Sequence, residues 1–451
     1  MQVQSAARCA FVDMNAFFAS VEQQENKLLR GKPIAVVPIK SDSTCVIAAS
    51  YEAKAKGVKT GTPIPEAFRL CPKIVLVEAQ PKLYMQYNQA ILECLNRFFV
   101  NINPLSIDEM ACWIGRLDQG PEAETRLARR VKDAIIERLG PCMRSSVGIA
   151  PNIFLAKVAS DMQKPDGLTR LDESNLPGAL FTVPLRDLPG VGRNMHRRLA
   201  RCGITTVEHL YQAGPDLLRR AWGGVEGPRW YYMLRGRTDA DYRVWKSEAQ
   251  RKTVGHSHVL PPEYRTHGGA QGILLRLFTR CMRRLRQYDQ AASSVGLWVR
   301  HRNRETQVRS TWKLDSRKHL HANDETTWIK IVRPMIGSLS ELERNCVPYG
   351  VGVTFWDLIA AKDVTLNLFD DTFARAEVSR TMDTLNRKRE NSLQLASVLP
   401  VQHTAPFRIA FGRQFHAFEI AQAEDAAARV IRKAASSSSR SGEPLSGATR
   451  W

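Results

Sequence analysis

At 451 residues and 50.8 kDa the chain has room for about three domains, and 43% apolar with 24% charged residues excludes wholesale disorder. No apolar run approaches the roughly 18 residues of a membrane span, no secretory core precedes the first acid, and the nine scattered cysteines form no C-x-x-C pair. A soluble, intracellular protein with reduced thiols is therefore expected, and its net charge of +20 favours a polyanionic partner, either nucleic acid or an acidic membrane surface, without choosing between them.

Residues 9–14 (CAFVDM) read as a short buried strand, followed by a helical stretch at 17–29. Strands rich in Val, Ile and Ala are expected at 34–38 and 45–49. A helix near 82–99, a strand near 105–114, a helix near 121–139, a strand around 145–150 and a helix near 152–162 follow. This interleaving predicts an α/β layer. From 172 to 236 the pattern is helical with Gly-rich hairpins, and the polar stretch 237–252 reads as a linker. Beyond it, strand-like pieces at 294–300 and 349–356 accompany a strong helix near 270–287, which predicts a separate domain at 253–360. The Ser/Gly-rich end, 434–451, reads as disordered. The whole is an α+β protein without internal repeats.

Asp13 closes one apolar strand, and Asp108 and Glu109 interrupt another. Adjacent carboxylates on a strand face opposite ways, unless one lies at a strand end or bend where both reach a shared site. Carboxylates among apolar residues are costly without a compensating cation, for which Mg²⁺ is the usual candidate. Three acids from two strands could hold two ions about 3.5–4 Å apart, the arrangement of in-line nucleotidyl transfer. On spacing alone, ordinary strand-end acids are the commoner case.

The surrounding segments are more specific. DMNAFFASVE (13–22), VIAASYEAKAKGVKTG (46–61), LSIDE (105–109) and SSVGIAPNIFLAKVASDMQKPDG (145–167) occur in order at compatible spacings. Together they resemble the Y-family DNA polymerases, low-fidelity enzymes that copy damaged templates. The resemblance implies a right-hand fold: palm at 1–25 and 80–171, fingers at 26–79, a thumb at 172–236, a little finger at 253–360, and a C-terminal tail at 361–451. It implies that Asp13, Asp108 and Glu109, with the Met14 carbonyl, bind two catalytic Mg²⁺ ions. Tyr51, Lys54 and Lys164, helped by Lys157, would hold the triphosphate of the incoming nucleotide. Tyr51 and Lys54 share a face if a helix begins there. Many relatives carry Arg in place of Lys54, which trades a bidentate fork for a point charge. Phe18 matches the steric gate that excludes a 2′-hydroxyl, with Phe17 beside it as core of the nucleotide pocket. Met110 and Trp113 depart from the usual pattern after the acids.

LRDLPGVGRNMHRRLARCGI (185–204) resembles a helix–hairpin–helix. Its turn, Gly190, Val191 and Gly192, would offer N–H groups to a DNA phosphate, with Arg193 opening a basic helix. Residues 241–305 carry 13 Lys/Arg against 5 Asp/Glu. There Arg276, Arg280 and Arg283 share a helix face that the family position makes a DNA contact. VTLNLFDD (364–371) resembles the peptide by which bacterial polymerases dock on the sliding clamp. Leu366, Leu368 and Phe369 would be its anchors, with Thr365 where Gln is usual.

The expectation is a template-directed translesion polymerase of the damage (SOS) response. It would act on primer-template DNA and deoxynucleoside triphosphates, in the bacterial cytoplasm and on the nucleoid. The sliding clamp and a UmuD-like subunit are candidate partners, and Asn15, the clamp-like peptide and 381–388 lean toward the UmuC subgroup rather than DinB. A non-catalytic DNA-binding relative, expected to lose the acids, and a nucleotide cyclase, expected to lack the helix–hairpin–helix, are the rival readings.

Overall fold

A computed structural model describes residues 9–237 apart from 41 and 43, and 252–301, 307–313, 322–341, 346–365, 372–388 and 393. The described residues divide into two units, one over 9–237 and one from 252 onward.

The first unit contains strands β1 (Cys9–Met14), β2 (Ile34–Val37), β3 (Ala48–Ala49), β4 (Val75–Glu78), β5 (Ile102–Pro104), β6 (Glu109–Trp113), β7 (Ser145–Ala150) and β8 (Leu168–Arg170). Its main sheet runs β5-β6-β1-β7-β8, with β1 antiparallel to both β6 and β7. β1 is buried along its whole length, which is why Cys9–Val12 read as an apolar run up to Asp13. Its alternate residues enter different cores. Ala10, Val12 and Met14 pack with the helices Phe17–Glu25, Pro81–Leu95 and Pro121–Leu139. Cys9 and Phe11 face the helix Ile153–Met162, in a core that continues into the short helices of 178–233 through Leu199, Leu210, Leu218 and Trp230. Gly148 permits that close packing: a Cβ there would lie 2.0 Å from the Ala156 carbonyl oxygen. A small sheet, β3-β2-β4, forms its own core with the helix Ile64–Leu70 around Ala35, Val37, Val46 and Ile64.

The second unit is an antiparallel sheet of β9 (Thr253–Val259), β10 (Gln290–His301), β11 (Gln307–Lys313) and β12 (Pro348–Ala360), ordered β11-β10-β12-β9. Helices His267–Gln287 and Glu325–Glu341 cover one face, burying Ile273, Leu277, Trp328 and Val332 against Val295, Leu297, Val353 and Phe355. Within the stretch 361–451, Thr372–Lys388 is a helix. It is tied to this unit by Arg286, whose Nε and Nη2 donate to Asp383 at 2.6 and 3.0 Å. Most of 237–252 lies outside the described residues.

Candidate active site and nucleic-acid interface

Antiparallel pairing sets Asp13 directly opposite Glu109 at the ends of β1 and β6. The strand expected over 105–114 begins only at Glu109, because Ser106–Asp108 form a bend. That bend lets Asp108 approach the same strand end as its neighbour. The Met14 N–H donates to the Asp108 carbonyl at 2.9 Å, locking the bend against β1. Ser106 Oγ donates to Asp108 Oδ1 at 2.6 Å.

Two acids opposed on one sheet face repel unless something positive compensates. Here the helix Ile153–Met162 and the loop after it supply lysines. Lys164 Nζ lies 2.7 Å from Asp13 Oδ2 and 2.6 Å from Asp161 Oδ1, and Lys157 pairs with Glu109 Oε1. Burial nevertheless pushes the Asp13 carboxyl up to about 7 against the pull of Lys164, with Asp108 and Glu109 adding to the rise. Burial also raises Asp108, with Ser106 opposing and Glu109 adding. Buried carboxyls that resist ionisation alone, with hard oxygen donors on neighbouring strand ends, suit a divalent cation. In this geometry each acid turns to a different partner, and among the described residues no three acidic, His or Cys side chains close round a single ion.

Tyr51 and Lys54 do share a face: Tyr51–Lys54 is a helical turn capped by Ser50, and the ammonium lies 4.4 Å from the phenol ring centroid. Burial lowers the Lys54 pKa, and the like charge of Lys164 adds to the drop. Burial raises that of Tyr51, with Lys164 opposing. Three lysines and a phenol thus lie within electrostatic reach of the acids, a setting suited to a polyphosphate.

Phe17 and Phe18 are both buried, at 2% and 6% exposure. Phe18 stacks on Tyr84 with ring centroids 4.2 Å apart, and the Tyr84 hydroxyl donates to buried Glu22 at 2.6 Å. Tyr84 was not among the expected site residues. Its helix is readable from sequence, but its contact with a residue 66 positions earlier is not.

Gly190 has φ +94°, the left-handed turn the hairpin needs, and Val191 is buried as its anchor. Gly192 then caps the helix Arg193–Arg201, which exposes Arg193, Arg197, Arg198 and Arg201. In the second unit Arg276, Arg280 and Arg283 lie half-buried on one helix. Arg283 Nε is 3.4 Å from Asp383, so part of this face serves the fold. Burial, with Arg276 and Arg283 adjoining, pushes Arg280 down to about 10. The sheet offers another cation that the sequence reading missed. Exposed Arg300 lies over the rings of Trp298 and Tyr349, at 5.7 and 6.0 Å. Leu366, Leu368 and Phe369 lie outside the described residues.

Three family models match the chain: the impB/mucB/samB family over 12–161, the C-terminal domain of that family over 251–368, and the thumb domain of DNA polymerase-iota over 186–238. DNA polymerase IV 1 of Bacillus subtilis (strain 168) is 30% identical over 390 residues, covering 84% of this chain and 89% of the relative. DNA polymerase IV of Moorella thermoacetica is 36% identical over 288 residues, 63% of this chain and 70% of the relative. A Y-family DNA polymerase chimera of Dbh and Dpo4 shares the fold, with TM-score 0.64 at 24% identity over 78% of this chain and 99% of that one. These relatives are DNA polymerases IV and lend no support to the UmuC leaning. With a relative matched over most of both chains, and models covering the first, thumb and C-terminal parts, the chain belongs to the Y family of DNA-directed DNA polymerases, the translesion enzymes.

Proposed function

We propose that this chain extends a primer 3′ end by two-metal nucleotidyl transfer, with Asp13, Asp108, Glu109 and the Met14 carbonyl as ligands of two Mg²⁺ ions. The observation that carries this reading is the pairing of Asp13 with Glu109 in register, beside the Asp108 bend. A DNA-directed DNA polymerase uses primer-template DNA and deoxynucleoside triphosphates, and its family depends on divalent metal. Bound there, the ions would activate the 3′-hydroxyl and stabilise charge on the triphosphate and the leaving pyrophosphate. The chain's own residues do the rest. Lys164 and Lys54, both within electrostatic reach of Asp13, bind triphosphate oxygens, and Tyr51 orients them by a hydrogen bond. Lys157 holds Glu109. Phe18, backed by Tyr84, closes the floor beneath the sugar and excludes a 2′-hydroxyl.

In this reading 1–25 and 80–171 are the palm, 26–79 the fingers, 172–236 the thumb, and 253–360 the little finger. The Gly190–Gly192 turn and Arg193 take a template or primer phosphate. The sheet face bearing Arg300 and Trp298 grips the duplex beside whatever share Arg276 and Arg280 take. The peptide with Leu366, Leu368 and Phe369 docks on a sliding clamp, a UmuD-like subunit is a further candidate partner, and the enzyme works in the cytoplasm on the nucleoid. No helix among the described residues is long and apolar enough to cross a membrane. Primer extension with Mg²⁺ on undamaged and lesion-bearing templates tests the function. Template-directed products that continue past a lesion are expected, and no extension on either template would refute it.

A further inference from the structure

Two residues beyond Lys164, Asp166 is held through both its backbone and its carboxylate. Its N–H donates to Asn15 Oδ1 at 2.7 Å, and its carbonyl accepts from Lys132 Nζ. Its carboxylate lies between Lys132 Nζ, 3.0 Å from Oδ1, and Arg144 Nη1, 3.1 Å from Oδ2. The Asp166 backbone is left-handed, φ +60°, a conformation that Asp tolerates better than most residues but that surrounding contacts must hold. Lys132 donates as well to the Gly167 carbonyl at 3.3 Å. Ser146 Oγ accepts from the Gly167 N–H at 3.3 Å and from Asn15 Nδ2 at 2.9 Å. The 163–167 loop is thereby fastened to the end of β1, the start of β7 and the helix Pro121–Leu139. Lys164 projects from this fastened loop to the acids.

Exposed ion pairs contribute little, because water screens them and their long side chains lose entropy. Lys132 differs. Its side chain is only 13% exposed, and one ammonium bridges the carboxylate and two carbonyls of the same loop. Charge-assisted bonds of this kind are among the stronger ones, and several on a single donor fix position as well as energy. We propose that Lys132 is a positioning residue for nucleotide binding: through Asp166 it sets the place from which Lys164 reaches the triphosphate. The proposal rests on reading Lys164 as a triphosphate ligand, and Lys132 acts through Asp166 rather than by contact with the nucleotide.

The test uses the full chain in steady-state single-nucleotide incorporation, with primer-template affinity and Tm measured in parallel. Lys132→Met should raise KM for the nucleotide about tenfold while kcat stays within about threefold, since a sub-ångström misplacement of a binding group weakens capture first. Primer-template affinity should not move, and Lys132→Arg should regain most of the loss. Lys164→Ala should show the same KM defect, and the double variant should be no worse than Lys164→Ala alone, as expected when one residue acts through the other. Unchanged KM in Lys132→Met, or defects that multiply in the double variant, would overturn the proposal. So would a parallel fall of kcat and Tm that Lys132→Arg does not rescue. An unchanged KM in Lys164→Ala would instead remove the premise, a result distinguishable because it involves no change at Lys132.

Discussion

The ring stack under the expected sugar site separates selectivity from stability. Phe18 is 6% exposed and lies on Tyr84 at 4.2 Å with ring planes 16° apart. Pressing an extra hydroxyl against a packed ring costs roughly 1–3 kcal/mol. Phe18→Ala should relieve that cost and raise ribonucleotide use relative to deoxyribonucleotide use on the order of 10–100-fold. Tyr84→Phe keeps the stack but removes the 2.6 Å donor to Glu22, which is 3% exposed and retains the Gln80 amide at 2.9 Å. Stripping one donor from a buried carboxylate costs about 1–3 kcal/mol. In a unit of this size that lowers Tm by about 2–12 °C. The assay is single-turnover incorporation of matched ribo- and deoxynucleotides by both variants, with thermal melts alongside. Phe18→Ala should change the sugar ratio, whereas Tyr84→Phe should change chiefly Tm. An unchanged sugar ratio in Phe18→Ala would refute the gate and direct attention to Phe17.

Three further outcomes are expected. Arg300→Ala should weaken primer-template binding and lower the log–log salt slope by about 0.9, the share of one phosphate contact; an unchanged slope would leave the ring-stacked guanidinium without a DNA role. Burial raises the Glu22 carboxyl above its ordinary 4.5, so the folded state keeps a proton that the unfolded chain releases. Stability from this group is therefore full below pH 4.5 and lost as pH rises through the raised value, and Glu22→Gln should flatten that part of the Tm–pH curve. Leu368→Ala with Phe369→Ala should abolish clamp-stimulated synthesis and leave clamp-free extension near normal, because short peptides of this kind bind through two or three buried anchors; equal stimulation of both proteins would exclude the docking.

Much of the fold is visible where periodicity is strong. The helix expected at about 121–139 is Pro121–Leu139, and the strand at 145–150 is Ser145–Ala150. Edge elements fail for physical reasons. Ile102–Pro104 and Leu168–Arg170 are three-residue strands, too short to show alternation. Thr253–Val259 hides its inward face because His256 and His258 follow Val254 on that side, set by pairing with Val353 and Val351 opposite. Pro334 inside Glu325–Glu341 breaks a pattern that Trp328, Val332 and Ile336 would otherwise declare. At the site, Asp13 and Glu109 meet in register, and Asp108 lies in the kind of bend that the sequence reading allowed for adjacent carboxylates. The partners that hold the machinery are not legible. Tyr84 and Lys132 reach their contacts across long stretches of chain, and so does Arg283, which pairs with Asp383 a hundred residues on.

The central claim, that Asp108 belongs to a metal-binding set which transfers nucleotides, is tested most directly by single-turnover incorporation with Asp108→Ala and wild type at saturating DNA. Both proteins should bind primer-template with similar affinity. Wild type should add the templated nucleotide in a Mg²⁺-dependent step, whereas Asp108→Ala should lose at least about three orders of magnitude in rate, roughly the 4 kcal/mol of one essential electrostatic contact. Incorporation by Asp108→Ala within a few-fold of wild type would contradict the account.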